Sequence, residues 1–366
     1  MRLAFILLSS LARPIPSTRV AVGNMLPLLQ DAGHECHVVH APDRAGECPD
    51  LPEDLFERLM ALAPDLVVFQ KVRGPSVLYL MARLRQAGLA TCFMVCDVVD
   101  NEMVAAADGT VVVTAFLRAL HHPALQPRIH VVHDGIERPA VEATDDGTRR
   151  GRLHAVLVTS AYLVRLPVIG LPPPWLRVTI VGPYRASRLC RLQDWRWTLR
   201  RGMSLAGQWQ SLGFLLHPGI RCVPWTPDGV YDELRRANVG IIPVEGPPWL
   251  CDQGALPPDW MRKSENRLTL KMALGLPVVA TPIPSYEEVI EPGRTGFFAR
   301  SRSEWLAHLR RLRDGTLRRQ IGQAARSSVL GRYSMARQAA LLADVFQHIH
   351  DAAGLQALTQ DASRRA

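Results

Sequence analysis

At 366 residues the chain is longer than one hydrophobic core usually serves, so two domains of ordinary size are expected. Its 48% hydrophobic and 21% charged residues are a soluble globular composition, and no apolar run is long enough to span a bilayer. The net charge of +9 comes almost entirely from arginine, because lysine occurs only at positions 71, 263 and 271; it favours an anionic partner such as a nucleotide-sugar, a lipid surface or a nucleic acid.

The N-terminal half alternates strand and helix. LAFILL reads as a first strand rather than a signal peptide, because a turn and an amphipathic helix follow at once. A loop holding Arg13 and residues 16–19 leads to a helix through about Leu29 that ends near Gly33. HECHVVH, DLVVFQ, ATCFMVCD, GTVVVTA and RIHVVHDG read as further strands, with helices over 54–62 and 77–86 between them. Repeated βα units of this length imply a parallel, doubly wound sheet.

The pattern collapses over 137–152 into a Pro-, Gly- and charge-rich linker, and then restarts. LHAVLVTS, RVTIVG, GIRCVP, ANVGIIPV and LPVVAT are the strands of the second half. Thr226 and Pro227 open a helix through Val230, Leu234 and Ala237. Ser285 with Glu288, and Ser301 with Glu304, each match a capping box. Two further helices reach about Ala352, and TQDASRRA reads as a frayed end. The boundaries expected are therefore 1–142, 143–335, and a C-terminal helix over 336–366 packing back toward the first domain.

Two stretches break the alternation. Residues 185–212 are rich in Arg and Trp and read as a solvated helix packing its Trp residues inward, with a membrane-contacting helix as the other reading. EGPPWLCDQGALPPDWMRK is a long Pro- and Trp-containing loop of the kind that often serves as a lid. Seven cysteines occur without a Cys-x-x-Cys pair and fit a reducing cytosol. His34, Cys36, His37 and His40 fall on two faces of one strand, so no metal site is expected there.

The most informative stretch is KSENRLTLKMALGLPVVAT, residues 263–281. Ser264 suits an N-cap, Leu268, Met272 and Leu276 lie at near-helical spacing, Gly275 suits the left-handed C′ position, and Pro277 stops the helix. The helix start then points amides and partial positive charge at one spot, with Lys263 and Arg267 in the same turn, which suits a phosphate. G-x-G-x-x-G is missing from the turns after the first strand of each half, and G-x-x-x-x-G-K-[ST] and G-x-S-x-G occur nowhere; a standard dinucleotide site, a P-loop enzyme and an α/β-hydrolase are unsupported.

VVHDGIE, ANVGIIPV, the 263–281 stretch and PSYEEVIEPGRTGFFA, in that order, resemble the GT-B glycosyltransferases, most closely glycosyltransferase family 4. The resemblance covers most of the chain and implies two Rossmann-like parallel-sheet domains facing a cleft. It implies retaining, metal-independent transfer of a hexose-type sugar from a nucleotide-sugar, with no cofactor. In the family run S-P-x-K-L-F-E-Y-L-A-x-G the basic residue contacts the diphosphate and the Glu takes ribose hydroxyls. Ser264 matches the Ser, Arg267 takes the place of the Lys, Gly275 matches the Gly, and Leu270 falls where the Glu should be. The ribose clamp is therefore missing, with Glu265, Asn266 or Thr269 left as substitutes. Ser160, Gly182 and Glu287 are further donor-side candidates at strand ends and after the last strand.

Arg267, Lys263 and the helix amides are the candidates to stabilise charge growing on the distal phosphate. On the acceptor side the candidates are Ser9, Ser10, Arg19 and Asp134, with Asp97 to orient or deprotonate the incoming hydroxyl. The partners implied are a nucleotide-sugar and a glycan, lipid-linked or small-molecule acceptor in polysaccharide or glycoconjugate assembly, with peripheral contact to an anionic membrane and no nucleic acid. A cytoplasmic protein, peripheral to the inner face of the membrane, fits these. A degenerate GT-B scaffold acting as a non-catalytic binding subunit and a nucleotide-sugar epimerase are the alternatives.

Overall fold

A computed structural model of the chain describes residues 1–144, 151–196, 203–244 and 256–365. It divides into two compact units, one of residues 1–137, 262–264 and 333–366, the other of residues 138–261 and 265–332.

The first unit is a six-stranded, all-parallel sheet in the order β2-β1-β3-β4-β5-β6, formed by Arg2–Leu7 (β1), Glu35–His40 (β2), Leu66–Gln70 (β3), Ala90–Val95 (β4), Gly109–Val112 (β5) and Ile129–Val131 (β6). Its helices are Pro16–Thr18 (α1), Leu26–Asp31 (α2), Leu55–Leu62 (α3), Pro75–Gln86 (α4), Asn101–Ala106 (α5), Ala115–Ala119 (α6) and the C-terminal Met335–Arg365 (α14). The two-residue period of β1 sorts its side chains into two cores. Leu3, Phe5 and Leu7 pack with Leu29 of α2 and with Leu342 and Phe346 of α14, whereas Ala4 and Ile6 pack with Leu59 of α3 and Leu80 of α4. α14 continues to Arg365, past the end expected near Ala352, and covers the sheet with Ala339, Leu342, Phe346 and Ile349, a helical stripe.

The second unit is also all parallel, in the order β12-β11-β10-β7-β8-β9, from Leu153–Val158 (β7), Leu176–Gly182 (β8), Ile220–Pro224 (β9), Val239–Ile242 (β10), Val278–Ala280 (β11) and Gly296–Phe298 (β12). Its helices are Arg188–Asp194 (α7), Leu205–Leu216 (α8), Gly229–Arg235 (α9), Asn266–Ala273 (α10), Pro284–Glu287 (α11), Arg302–Arg311 (α12) and Gly315–Leu330 (α13). Leu153, Ala155 and Leu157 of β7 face a core holding Phe214 and Trp305, and Val156 faces Val230 and Leu234 of α9. Both units are thus doubly wound Rossmann-like sheets.

Four local expectations are corrected. α10 starts at Asn266, its N-cap position is Glu265, and no side chain caps it; the Ser264 hydroxyl donates to Asp134 instead. Ser285 lies inside α11, whose N-cap position is Ile283, so the capping box with Glu288 does not form. The Thr226 hydroxyl accepts from the amide of Gly229, but the N-cap position of α9 is Asp228, with no side-chain cap, and α9 ends before Ala237. Ser301 caps α12 by accepting from the Glu304 amide, and the Glu304 carboxylate accepts from the backbone amides of Ser301 and Arg300, so this capping box forms. Of the Trp residues expected to pack inward, Trp195 lies against the main core of its unit, but Trp209 faces outward, 72% exposed; Trp197 and most of the long loop before Lys263 lie outside the described residues.

Candidate functional site

In the second unit the carboxyl end of β7 and the start of α10 bring two expected donor-side residues together. The Arg267 guanidinium donates to the hydroxyl of Ser160, just beyond β7, at 3.3 Å. At the start of α10 the amides of Asn266 and Arg267 precede the first helical acceptor, so partial positive charge gathers where Arg267 stands. Gly182 ends β8, and a Cβ there would lie 2.9 Å from the carbonyl oxygen of Thr159, so only glycine lets these strand ends approach so closely. Asn266 opens α10, and the buried Thr269 donates back to its carbonyl at 3.3 Å. Glu265 is buried, and its carbonyl accepts from the amides of Leu268 and Thr269. Leu270 packs on the apolar cluster of Val156, Val230 and Leu234. Glu287, half exposed, lies 3.9 Å from Arg300.

Beneath Arg267 sits a residue that sequence reasoning passed over. Lys271 is fully buried, its Nζ donating to the Arg267 carbonyl at 2.9 Å. Gly240 of β10 makes room for it, since a Cβ there would fall 2.5 Å from the lysine Cδ. Burial, then the nearby Arg267 charge, pushes the Lys271 ammonium down to about 7.

In the first unit an ion network crosses the carboxyl ends of β3 and β4. Asp97 accepts from Lys263 at 2.6 Å and from Lys71 at 2.8 Å; Lys71 also meets Glu47 at 3.2 Å. Arg73 bridges Glu47 at 3.1 Å and Asp100 at 3.4 Å, and Asp100 caps α5. Burial alone raises the Asp97 carboxyl, but the hydrogen bonds and charges of Lys263 and Lys71 outweigh it and hold the group at about 2. A carboxylate so firmly ionised is a weak proton acceptor, so the geometry favours Asp97 as an orienting anion over a general base.

Asp134, buried beyond β6, takes the Ser264 hydroxyl at 2.7 Å. It shares a small, mostly apolar cavity with Gln70, Cys96 and His133. Ser9 donates to Thr18, and Thr18 to Gln70, both at 3.0 Å, which pins the loop after β1. Ser10 accepts from the Ala12 amide in the same loop. Arg19 is paired with Glu137, which also takes the Asn24 amide nitrogen at 2.7 Å, so its charge is satisfied inside the unit. Lys263 and Ser264, expected beside Arg267 in one helical turn, instead bind Asp97 and Asp134 of the first unit.

Lys71 and Lys271 were missed for want of a motif, yet one signal was available. In a chain with 43 basic residues, the three lysines are the two cations on Asp97 and the one beneath Arg267. A compact ammonium on a flexible stem fits such pockets where a guanidinium fork does not. Among the described residues, no group of three or more His, Cys, Asp or Glu is gathered to hold a metal ion. Among them too, no helix is long and apolar enough to cross a membrane.

Known structures share this two-unit architecture. HepE of Anabaena in complex with UDP-glucose matches with a TM-score of 0.65 at 12% identity, over 95% of this chain and 100% of that one. A glycosyltransferase from Rickettsia africae matches with a TM-score of 0.66 at 12% identity, over 95% and 98%. Sucrose-phosphate synthase from Thermosynechococcus elongatus matches with a TM-score of 0.63 at 14% identity, over 96% and 99%. No curated protein matches by sequence. The fold is therefore GT-B. Within it, residues 259–344, which include α10 to α13, match the family model described as glycosyl transferase-like, so the resemblance to GT-B glycosyltransferases is found in sequence as well as in fold.

Proposed function

We propose that the protein is a glycosyltransferase that takes a sugar, of hexose type, from a nucleoside diphosphate donor. The observation that carries this reading is the meeting of Arg267 with Ser160 at the start of α10, on a GT-B fold and inside the segment that matches the glycosyl transferase-like family. Breaking the glycosidic bond leaves negative charge growing on the distal phosphate. Arg267 and the first-turn amides of α10 offset that charge more in the transition state than in the ground state. The same positive end supports a metal-independent reaction, and the family resemblance supports retention at the anomeric carbon. With Glu265 and Thr269 buried, Asn266 at the start of α10 is the side chain left to take ribose hydroxyls. Lys263, Asp97, Ser10, Arg19 and Asp134 form the acceptor side, where Asp97 orients an incoming hydroxyl of a glycan or lipid-linked acceptor. Assembly of surface polysaccharide or glycoconjugate, on the cytoplasmic side, suits such an acceptor.

The second reading is a non-catalytic scaffold, favoured by Leu270: the position that should hold the ribose-binding acid is packed into an apolar cluster. Titration calorimetry with UDP, GDP and ADP, repeated on Arg267→Ala, separates them. Binding of one nucleotide that Arg267→Ala weakens about 100-fold, a loss expected for a charge-assisted phosphate contact, supports the enzyme. Binding of none supports the scaffold. Full turnover in EDTA tests metal independence.

A further inference from the structure

The second unit carries an apolar face that neither reading uses. α8 is LAGQWQSLGFLL, twelve residues without a charged side chain. Ser211, Phe214 and Leu215 are buried. On the other side Leu205 is 76% exposed, Trp209 72% and Leu216 48%. Their spacing of four and seven residues places them along one stripe of the helix. α7 adds Leu189, 73% exposed, beside the exposed Arg188. Both helices lie by the edge strand β9, since α8 packs on it and Arg191 of α7 bears on Cys222 within it.

The charge around this face is one-sided. The described residues from 185 to 224 include five arginines and one acidic residue, Asp194, which pairs with Arg185 at 3.3 Å, while Arg221 pairs with Glu233 of α9. A second copy meeting the same patch by two-fold symmetry would set arginine against arginine, which disfavours self-association. An anionic bilayer reverses that sign. It offers phosphates to the arginines, an interfacial layer that suits an exposed tryptophan, and an acyl boundary for the leucines.

We propose that this face of α8, with the arginines of α7, seats the protein on an anionic phospholipid surface. Leu205, Trp209 and Leu216 enter the boundary between headgroups and acyl chains, and Arg188 contacts lipid phosphates. The inference rests on the surface of the second unit and not on catalysis, although it would bring a lipid-linked acceptor within reach.

Sedimentation of the full chain with vesicles tests it, using phosphatidylcholine alone and phosphatidylcholine mixed with phosphatidylglycerol. Binding is expected to the phosphatidylglycerol vesicles only, and to weaken as salt rises beyond ~100 mM, where the screening length is about 10 Å. The double variant Leu205→Gln with Trp209→Gln should lower partitioning about tenfold, in line with the apolar area withdrawn. Arg188→Gln should weaken it severalfold and flatten the salt dependence. Because both apolar side chains are largely exposed, thermal unfolding and nucleotide titration of the double variant should match the parent. Failure here thus stays distinct from failure of the proposed activity. Equal, weak pelleting with both vesicle types would overturn the inference, as would a double variant that binds like the parent. A dimer in light scattering that the double variant converts to monomer would assign the face to a second copy instead.

Discussion

The ammonium of Lys271 donates to the backbone carbonyl of Arg267, one helical turn earlier, and no water-facing surface relieves either the charge or its stem. A buried lysine with a single carbonyl partner sits in the costliest place for a charge, and it sits directly under the residue proposed to hold the donor diphosphate.

A pH-dependent stability follows. The Lys271 group titrates near 7 in the folded chain against 10.5 when unfolded. Between those values the unfolded chain holds the proton and the folded chain does not, so stability should rise with pH across that window. Below about 7 the penalty is fully present. Lys271→Met keeps the stem and removes the charge. It should stabilise the protein by about 2 kcal/mol at neutral pH and flatten the rise toward pH ~10, as replacement of buried charges by apolar groups often does. Urea unfolding at several pH values reads both effects; an unchanged slope would mean that the proton is lost elsewhere.

Asp97 behaves in the opposite sense. Its carboxyl is held at about 2 in the folded chain against 3.8 unfolded, so its contribution is present above 3.8 and is lost as pH falls through about 2. Asp97→Asn leaves Lys263 and Lys71 facing a neutral amide, with Glu47 still on Lys71. A loss of about 3 kcal/mol at neutral pH is expected in urea unfolding, since removing one partner strands buried charge. The same variant separates the two roles of the side chain. If Asp97 only orients, Asn retains part of the turnover; if it were the base, turnover would collapse at every pH.

Much of this architecture can be read from the residues, and the reasons are local. β3 and β4 are unbroken apolar runs because both faces of a doubly wound sheet are covered, so LVVFQ and ATCFMV announce themselves. Gly275 takes a φ of +79°, the left-handed turn its place before Leu276 and Pro277 suggested. What escaped depends on partners far away in sequence. Ser264 looks like a helix cap, but Asp134 is 130 residues away and takes its hydroxyl, so the helix starts at Asn266, one residue later than a Ser264 cap would set it. Lys263 looks like a phosphate ligand of that helix until Asp97, 166 residues away, claims it. A capping signal weighs only near neighbours, and a carboxylate brought in by the fold outcompetes it.

At the proposed donor site, charge and shape can be separated. Arg267→Lys keeps the charge but loses the planar fork, and should weaken binding of the preferred nucleotide about tenfold, less than Arg267→Ala does. Ser160→Ala removes one exposed 3.3 Å contact and should cost no more than about threefold. Calorimetry at fixed salt orders the three variants. An order with Ser160→Ala the most damaging would move the diphosphate away from Arg267.

The support for α10 comes from an unusually close approach of α13. A Cβ on Gly322 would lie 2.0 Å from the carbonyl oxygen of Gly275, a backbone atom that cannot swing aside as a side chain can. Gly322→Ala must therefore push α13 off the end of α10, and overpacking against backbone should cost about 3 kcal/mol. Gly354→Ala is the matched control. Gly354 is an exposed helical glycine with nothing within 4 Å of its would-be Cβ, so alanine should stabilise by about 0.5–1 kcal/mol through helix propensity alone. Because Gly275 follows the helix whose first turn carries Arg267, the displacement in Gly322→Ala should also weaken nucleotide binding in the fraction that stays folded, while Gly354→Ala leaves it unchanged. Thermal melts with and without nucleotide read both at once: a Gly322→Ala protein as stable as its parent would show that α10 and α13 pack less tightly than 2.0 Å implies.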